Sequence, residues 1–451
     1  MDNNKEKNMI LHDNLWKVCI QLSIPAVIAM ILYGLNGVFD AIFVGRYVGE
    51  TAFAGVSIVY PLTQIPLGLG SLVGVGAGSY LSILIGENNK ELQKKLVGNS
   101  NTIIVIFTVI TMMLGFLFMK PLLYMMGANS ETYGYASEYF RVSLLGSIVW
   151  IAGLGYNMIV RAEGKMKMAA MIMGVGLVVN IIANYILMGV FHFGVAGAAW
   201  GTNLGMFIYV ILFFLYCKKG RASFETNAFR FFYDKEVIKE IISLGMPSFI
   251  MSVMMVIQGV IIMNALSTYG SDADIAFYGI AFRLFNLYAT PVYGLMRALQ
   301  PVVGVNYGAK QYDRVIKSYV IFSFVALLLV FPVWGVSMLF PNQVLQSMLP
   351  SSVFAAKDIL YFRMFISLTP ALCIILTGMT FWPAIKQAKP AMLIGIGRQV
   401  LLYIPLMILL PKFFGIGGIY FGSFGIDFGL TILIIIMLKK EFARLRKEEY
   451  Q

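Results

Sequence analysis

Apolar segments of about 20 residues or more, each long enough to cross a bilayer as a helix, follow one another along almost the whole chain. In lipid, backbone polar groups have no water to pair with, so a spanning segment satisfies them internally as a helix or joins a closed barrel. The runs here are far longer than barrel strands need. Twelve such segments are expected, near 18–45, 53–85, 95–119, 136–160, 168–191, 195–217, 240–267, 276–307, 315–340, 356–383, 390–411 and 415–438. The second and eighth exceed the bilayer thickness and imply tilt or a kink, for which Pro61, Pro66, Pro291 and Pro301 offer places. Only 12% of residues are charged and 59% are hydrophobic, too few charges to cover a soluble surface. The expected fold is an all-α polytopic membrane protein.

The formal charge of +12 raises the question of nucleic acid. The positive residues, however, sit in short clusters between apolar spans, as in membrane loops, and no nucleic-acid partner is expected. Both termini and the segments 86–95, 161–167, 218–239, 308–317 and 384–389 carry most of the Lys and Arg, whereas the opposite side holds Arg46, Lys120, Lys357 and Lys412. The positive-inside rule then places both termini in the cytoplasm of a multi-pass protein of the cell membrane. Arg141, Arg283, Arg297, Arg363 and Arg398 fall inside spans. The N-terminal stretch MDNNKEKNMILHDNLWK lacks the apolar core of a cleaved signal, so the first span is expected to direct insertion. Cys19, Cys217 and Cys373 lie in or beside spans and read as packing residues. His12 and His192 have no metal-ligand company, and no cofactor is expected.

One fixed offset, the separation of Pro25 from Pro247, recurs along the chain. Ser23-Ile24-Pro25 returns as Gly245-Met246-Pro247, Gly86 as Gly308, Tyr139-Phe140-Arg141 as Tyr361-Phe362-Arg363, and Lys167-Met168-Ala169 as Lys389-Pro390-Ala391. Near the end the offset slips by one, pairing Gly194-Val195-Ala196-Gly197 with Gly415-Ile416-Gly417-Gly418. Six spans per unit return each half to the side it started from. The expectation is two parallel six-helix lobes with pseudo-two-fold symmetry along the membrane normal. That divides the chain into a tail at 1–17, an N-lobe at 18–217, a linker at 218–239, a C-lobe at 240–438 and a tail at 439–451.

The run Gln300-Pro301-Val302-Val303-Gly304-Val305-Asn306-Tyr307-Gly308-Ala309, with Asp313-Arg314-Val315 after it, resembles a signature of the multidrug and toxic compound extrusion (MATE) family. Gly74-Val75-Gly76-Ala77-Gly78 through Gly86-Glu87-Asn88, Arg161-Ala162-Glu163-Gly164, and Asn180 through Gly197-Ala198-Ala199 fit the same family. The resemblance covers essentially all twelve spans. It implies a secondary active multidrug exporter, working as a monomer, that antiports amphipathic, often cationic small molecules against H⁺ or Na⁺. The family's first-span Asp matches Asp40, but its Asn-x-x-x-Asp pair reads Asn180…Asn184 here. Carboxylates that some members carry in spans seven and ten are replaced by residues such as Gln258 and Leu376, which leaves the coupling ion open.

Ionisable groups inside a membrane are costly and are functional candidates for that reason. Counting from the span ends at 1.5 Å per residue puts Asp40 roughly 9 Å deep, with Asn184 and Thr202 at about 12 Å. Asn180 lies one turn from Asn184, and Asn36 one turn from Asp40. Asp40, Asn180, Asn184 and Thr202 are the candidates for cation coupling: the carboxylate could take a proton, or the amide and hydroxyl oxygens could hold Na⁺. Tyr33, Asn36, Gln64, Tyr139, Asn157 and Arg297 are the candidates for substrate contact. Arg398 and Asp427, similar in depth on the last two spans, are expected to pair as a structural ion pair. Gly70, Gly74 and Gly78 have the spacing of close helix packing. The Met and Phe residues, 28 and 34 in number, suit a polyspecific pocket and lipid-facing surface alike.

An alternative reading is a flippase for lipid-linked saccharides, which Arg297 keeps open. An intramembrane enzyme is disfavoured because no His and no close carboxylate pair fall within the spans. No GxxxxGK[ST] loop is present for ATP.

Overall fold

A computed structural model describes residues 5–348 and 354–449. Among these residues all regular structure is helical. A short α1, Lys5–His12, precedes α2 (Leu15–Tyr47), α3 (Glu50–Gly86), α4 (Lys90–Leu117), α5 (Met119–Met125), α6 (Tyr133–Leu145), α7 (Ser147–Ala162), α8 (Met166–Asn184) and α9 (Gly194–Lys218). The second half holds α10 (Lys235–Tyr269), α11 (Asp272–Gly308), α12 (Tyr312–Leu339), α13 (Pro341–Met348), α14 (Ala356–Ser367), α15 (Thr369–Ala384), α16 (Ala388–Ile396), α17 (Ile404–Phe414) and α18 (Gly417–Glu449). The bounds of α3 and α11, of α4 and α12, and of α7 and α15 are each related by the offset that separates Pro25 from Pro247. Helix starts follow local chemistry. Asn14 caps α2 by accepting from the Trp16 amide, Asn89 caps α4, Asp234 caps α10, and Ser271 forms a capping box with Asp274 on α11.

Among the described residues ten helices are long and apolar enough to cross a membrane, and an eleventh when α6 and α7 count as one bent span. The remaining expected span corresponds to α11, whose 37 residues exceed the needed length but are less apolar, with Arg283 and Arg297 within it. The α6–α7 span bends by 54° at Gly146, and its counterpart in the second half breaks at Leu368, the position that repeats Gly146. The bend has an identifiable cause. A Cβ at Gly146 would lie 1.9 Å from Asn203 Oδ1, so Asn203 occupies the notch. Its amide donates to the Val142 carbonyl at 2.9 Å, and its oxygen accepts from the Trp150 indole at 2.7 Å. Gly70 and Gly74 let α3 lie close on α7, against Ile151 and Met158.

The halves meet through backbone. Cβ atoms added at Gly86 and Gly308 would strike each other's helices, 2.3 Å from the Val305 carbonyl and 2.1 Å from the Ile83 carbonyl. These repeat-related glycines therefore face one another where α3 crosses α11, as a local two-fold requires. On one flank Gly76 and Gly245 bring α3 against α10, and on the other Gly294 brings α11 against α2 at Val27.

The expected tails are more ordered than a polar composition suggests. In α1, Ile10 and Leu11 are buried, and Arg314 Nη2 donates to the carbonyls of Ile10 at 2.7 Å and Asp13 at 3.0 Å. Helix α18 continues through the expected C-terminal tail as far as Glu449. The linker lies along α4, where Asn101 donates to the carbonyls of Ala228 and Arg230, and Thr102 donates to that of Phe232.

Candidate functional site

Asp40 lies in the second half of α2, facing α8 and α9. Four uncharged donors converge on its carboxylate. Asn184 Nδ2 donates to Oδ1 at 2.6 Å and Asn180 Nδ2 to the same oxygen at 3.2 Å. Thr202 Oγ1 donates to Oδ2 at 3.0 Å, and Asn36 Nδ2, one turn earlier on α2, donates to Oδ2 at 3.3 Å. Asn180 and Asn184 are linked to each other at 3.4 Å and are fully buried. The group therefore holds a carboxylate inside the bundle without a counter-charge among its hydrogen-bond partners. Asn184 Oδ1 is left as a buried acceptor with no partner among the described residues. Such an oxygen is costly unless something donates to it or binds it.

Two backbone features shape this group. Directly after Asn184 the helix widens into a π turn, Tyr185–Val190, and a second π segment, Gly397–Tyr403, contains Arg398 in the other half. Such turns concentrate at functional positions because they redirect side chains within a helix. Gly201 on α9 leaves the space that the Asn184 amide fills.

A second polar site lies about two helical turns along α2 from Asp40, at Tyr33. It is a cavity of 150 Å³ lined from the first half by Met30, Tyr33, Gln64, Asn157, Met158 and Arg161, and from the second by Ser252 and Arg297. Arg161 Nε donates to Asn157 Oδ1 at 2.9 Å, and Asn157 in turn donates to the Ala169 carbonyl at 2.9 Å. The remaining guanidinium contacts are to thioethers: Arg161 Nη2 to Met173 at 2.8 Å and Arg297 Nη1 to Met158 at 3.5 Å. Arg398, by contrast, meets Asp427 through both Nε and Nη2, each at 2.9 Å.

The sequence-derived candidates are thus distributed over two places. Asp40, Asn180, Asn184, Thr202 and Asn36 form one hydrogen-bonded group, while Tyr33, Gln64, Asn157 and Arg297 line the cavity. Tyr139 is in neither: it is buried in an apolar cluster with Val44, Val59 and Leu62. Arg161 differs from its expected place in the loop 161–167, since it belongs to the last turn of α7 and is only 5% exposed. Its i, i+4 spacing from Asn157 was the available signal. Glu163, also expected in that loop, has a fully buried side chain that accepts from Tyr216 and from the Ser223 amide. Burial pushes the Glu163 carboxyl up to about 7. Among the described residues no group of three or more His, Cys, Asp or Glu could hold a metal ion.

A larger cavity of 1290 Å³ opens beside α1, between the start of α2, the segment 164–168 and the end of α9. It is rich in Lys side chains, among them Lys17, Lys165 and Lys219.

The family model of MatE matches residues 25–186 and 247–409, two segments that begin at the repeat-related Pro25 and Pro247. The multidrug export protein MepA of Staphylococcus aureus is 28% identical over 414 residues, covering 90% of this chain and 89% of that protein. MepA of Staphylococcus haemolyticus is 26% identical over 415 residues, covering 90% of this chain and 89% of that protein. A crystal structure of MATE in the bent conformation superposes with a TM-score of 0.91 over 99% of both chains at 23% identity.

Proposed function

The chain belongs to the MatE family, and on that premise we propose that it is a secondary active exporter of amphipathic small molecules. Its similarity to multidrug export proteins across nine-tenths of the chain supports export as the activity. Transport is by alternating access, with two six-helix lobes moving about the crossing of α3 and α11. In this proposal α11 is itself a span, which completes twelve. The Lys and Arg distribution supports a cell-membrane orientation with both termini cytoplasmic.

The observation that carries the coupling proposal is the Asp40 group. A carboxylate with four neutral donors and a neighbouring unpaired amide oxygen suits a small cation. A proton on Asp40 would turn the carboxylate from an acceptor alone into a donor as well. Na⁺ would instead draw on Asp40, Asn180, Asn184 and Thr202 oxygens, with the amides rotated. Either event removes the buried charge and changes what ties α2 to α8 and α9. Asp40→Asn keeps the shape and loses the charge. It is expected to abolish coupled export at unchanged expression, read as loss of drug resistance in cells with their own exporters deleted. Full resistance from that variant would overturn the coupling role of Asp40.

A flippase for lipid-linked saccharides is the second reading, and the two arginines at the cavity favour it. Transport of small amphiphiles in reconstituted liposomes distinguishes the two.

A further inference from the structure

Arg161 and Arg297 come from different halves of the chain, α7 and α11, yet line one cavity. Guanidinium groups remain charged in proteins, and a charge inside a membrane protein requires a partner. This chain shows what a paired arginine looks like: Arg398 is held by both Nε and Nη2 on the Asp427 carboxylate. Arg161 and Arg297 have nothing comparable. Their side-chain partners are an amide oxygen and two thioether sulfurs, and sulfur is a weak acceptor. Among the described residues, no Asp or Glu lines the cavity. Arg161 is buried nearly completely, so water supplies little compensation. The hydroxyls of Tyr33 and Ser71 and the amide of Gln64 add further donors, and Met30, Leu67 and Leu154 supply apolar wall.

We propose that this cavity takes the anionic head of an amphipathic substrate, a carboxylate, sulfonate or phosphate, between Arg161 and Arg297. The proposal rests on the export reading and names its substrate class. Two guanidiniums suit such a group because each presents parallel N–H donors to paired oxygens. A cation in the same place would face two like charges in a poorly solvated space. At 150 Å³ the cavity matches a head group, well below the roughly 300–1,000 Å³ that encloses a drug-sized ligand. The apolar body of the substrate then requires the lobes to part. Because the arginines belong to opposite halves, a bound anion also neutralises repulsion across the lobe boundary. Loading would thereby be tied to lobe position.

The test uses two fluorescent probes that share a dansyl group and alkyl chain and differ at the end, one a carboxylate and the other a primary amine. Binding is measured on the full-length protein in nanodiscs of neutral lipid, and export in proteoliposomes. The carboxylate is expected to bind saturably and at least about tenfold more tightly than the amine. Arg161→Gln and Arg297→Gln should each weaken carboxylate binding by about tenfold, while Arg297→Lys, which keeps the charge, should lose less. Thermal melting identifies any variant that fails to fold, and the comparison of the two probes on the unaltered protein stands without variants. Equal or tighter binding of the amine, or unchanged carboxylate affinity in both folded Gln variants, overturns the anion assignment. Export of the amine alone overturns it too, yet leaves the export reading intact. If neither probe is bound or exported, the export reading falls with it.

Discussion

Asn184 occupies space that any side chain at position 201 would claim. A Cβ added to Gly201 would lie 2.0 Å from Asn184 Oδ1 and 3.3 Å from the Asn184 backbone nitrogen. Gly201→Ala is therefore expected to push Asn184 off the Asp40 carboxylate and to cost about 1–3 kcal/mol of stability. Gradient-driven transport should fall with it. Gly34→Ala on α2, where nothing lies within 4 Å, is the control and should be tolerated. Unimpaired transport from Gly201→Ala would count against Asn184 as part of the coupling group. The Arg398–Asp427 pair has its own prediction. Arg398→Gln or Asp427→Asn alone leaves a half-buried charge without its partner and should cost about 3 kcal/mol, seen as a fall in melting temperature in detergent. The double variant should recover much of that loss, and simple additivity would argue against a pair. At this scale, depth counting brought Asp40, Asn180, Asn184 and Thr202 to one level, because a helix converts residue number into distance. It could not assign Arg161, since a charge beside Glu163-Gly164-Lys165 looks like a loop whether or not its side chain turns inward. Tyr139 was ambiguous for the converse reason: a buried Tyr serves packing as readily as binding, and its place among Val44, Val59 and Leu62 lies outside both groups.

Helix positions were legible because the apolar runs are long and the repeat supplies each one twice. The same reasoning carries a stability prediction. Gly308→Ala would bring a Cβ to 2.1 Å from the Ile83 carbonyl and 3.0 Å from the Glu87 amide, both backbone atoms that cannot swing aside. Between lipid-embedded helices, close packing supplies much of the association that the hydrophobic effect supplies in water. The substitution should lower the melting temperature clearly more than Gly335→Ala, made where nothing lies within 4 Å. Equal effects would mean that α3 and α11 do not cross in close backbone contact at Gly308. Some elements gave no sequence signal. The π turn at Tyr185–Val190 adds a wider hydrogen-bond ring without changing hydropathy, so span five reads as an uninterrupted helix. The break at Gly146 depends on Asn203, which is distant in sequence and inserts from another helix. The docking of α1 turns on two apolar residues, Ile10 and Leu11, in an otherwise polar stretch.

For the whole molecule, the repeat proved most informative where its halves differ. Gly86 and Gly308, or the breaks at Gly146 and Leu368, are shared scaffold. Asp40, Asn180 and Asn184 align with Ile262, Leu402 and Leu406 at the same offset, so the proposed coupling group belongs to the first half. The unpaired arginines straddle both halves. The proposed cation and cargo sites share helix α2, through Asp40 and Tyr33 about two turns apart, and movement of α2 relative to α8 and α9 would reach both. What sequence could not supply was the meeting of Arg161 and Arg297 at one cavity, which exists only once the lobes are assembled. The most direct measurement is export of a fluorescent amphiphile from proteoliposomes, with pH and Na⁺ gradients imposed separately, for the native chain and Asp40→Asn. Coupling through Asp40 predicts that one of the two gradients drives export by the native chain and that Asp40→Asn responds to neither. Export by Asp40→Asn as strongly gradient-driven as that of the native chain would contradict it.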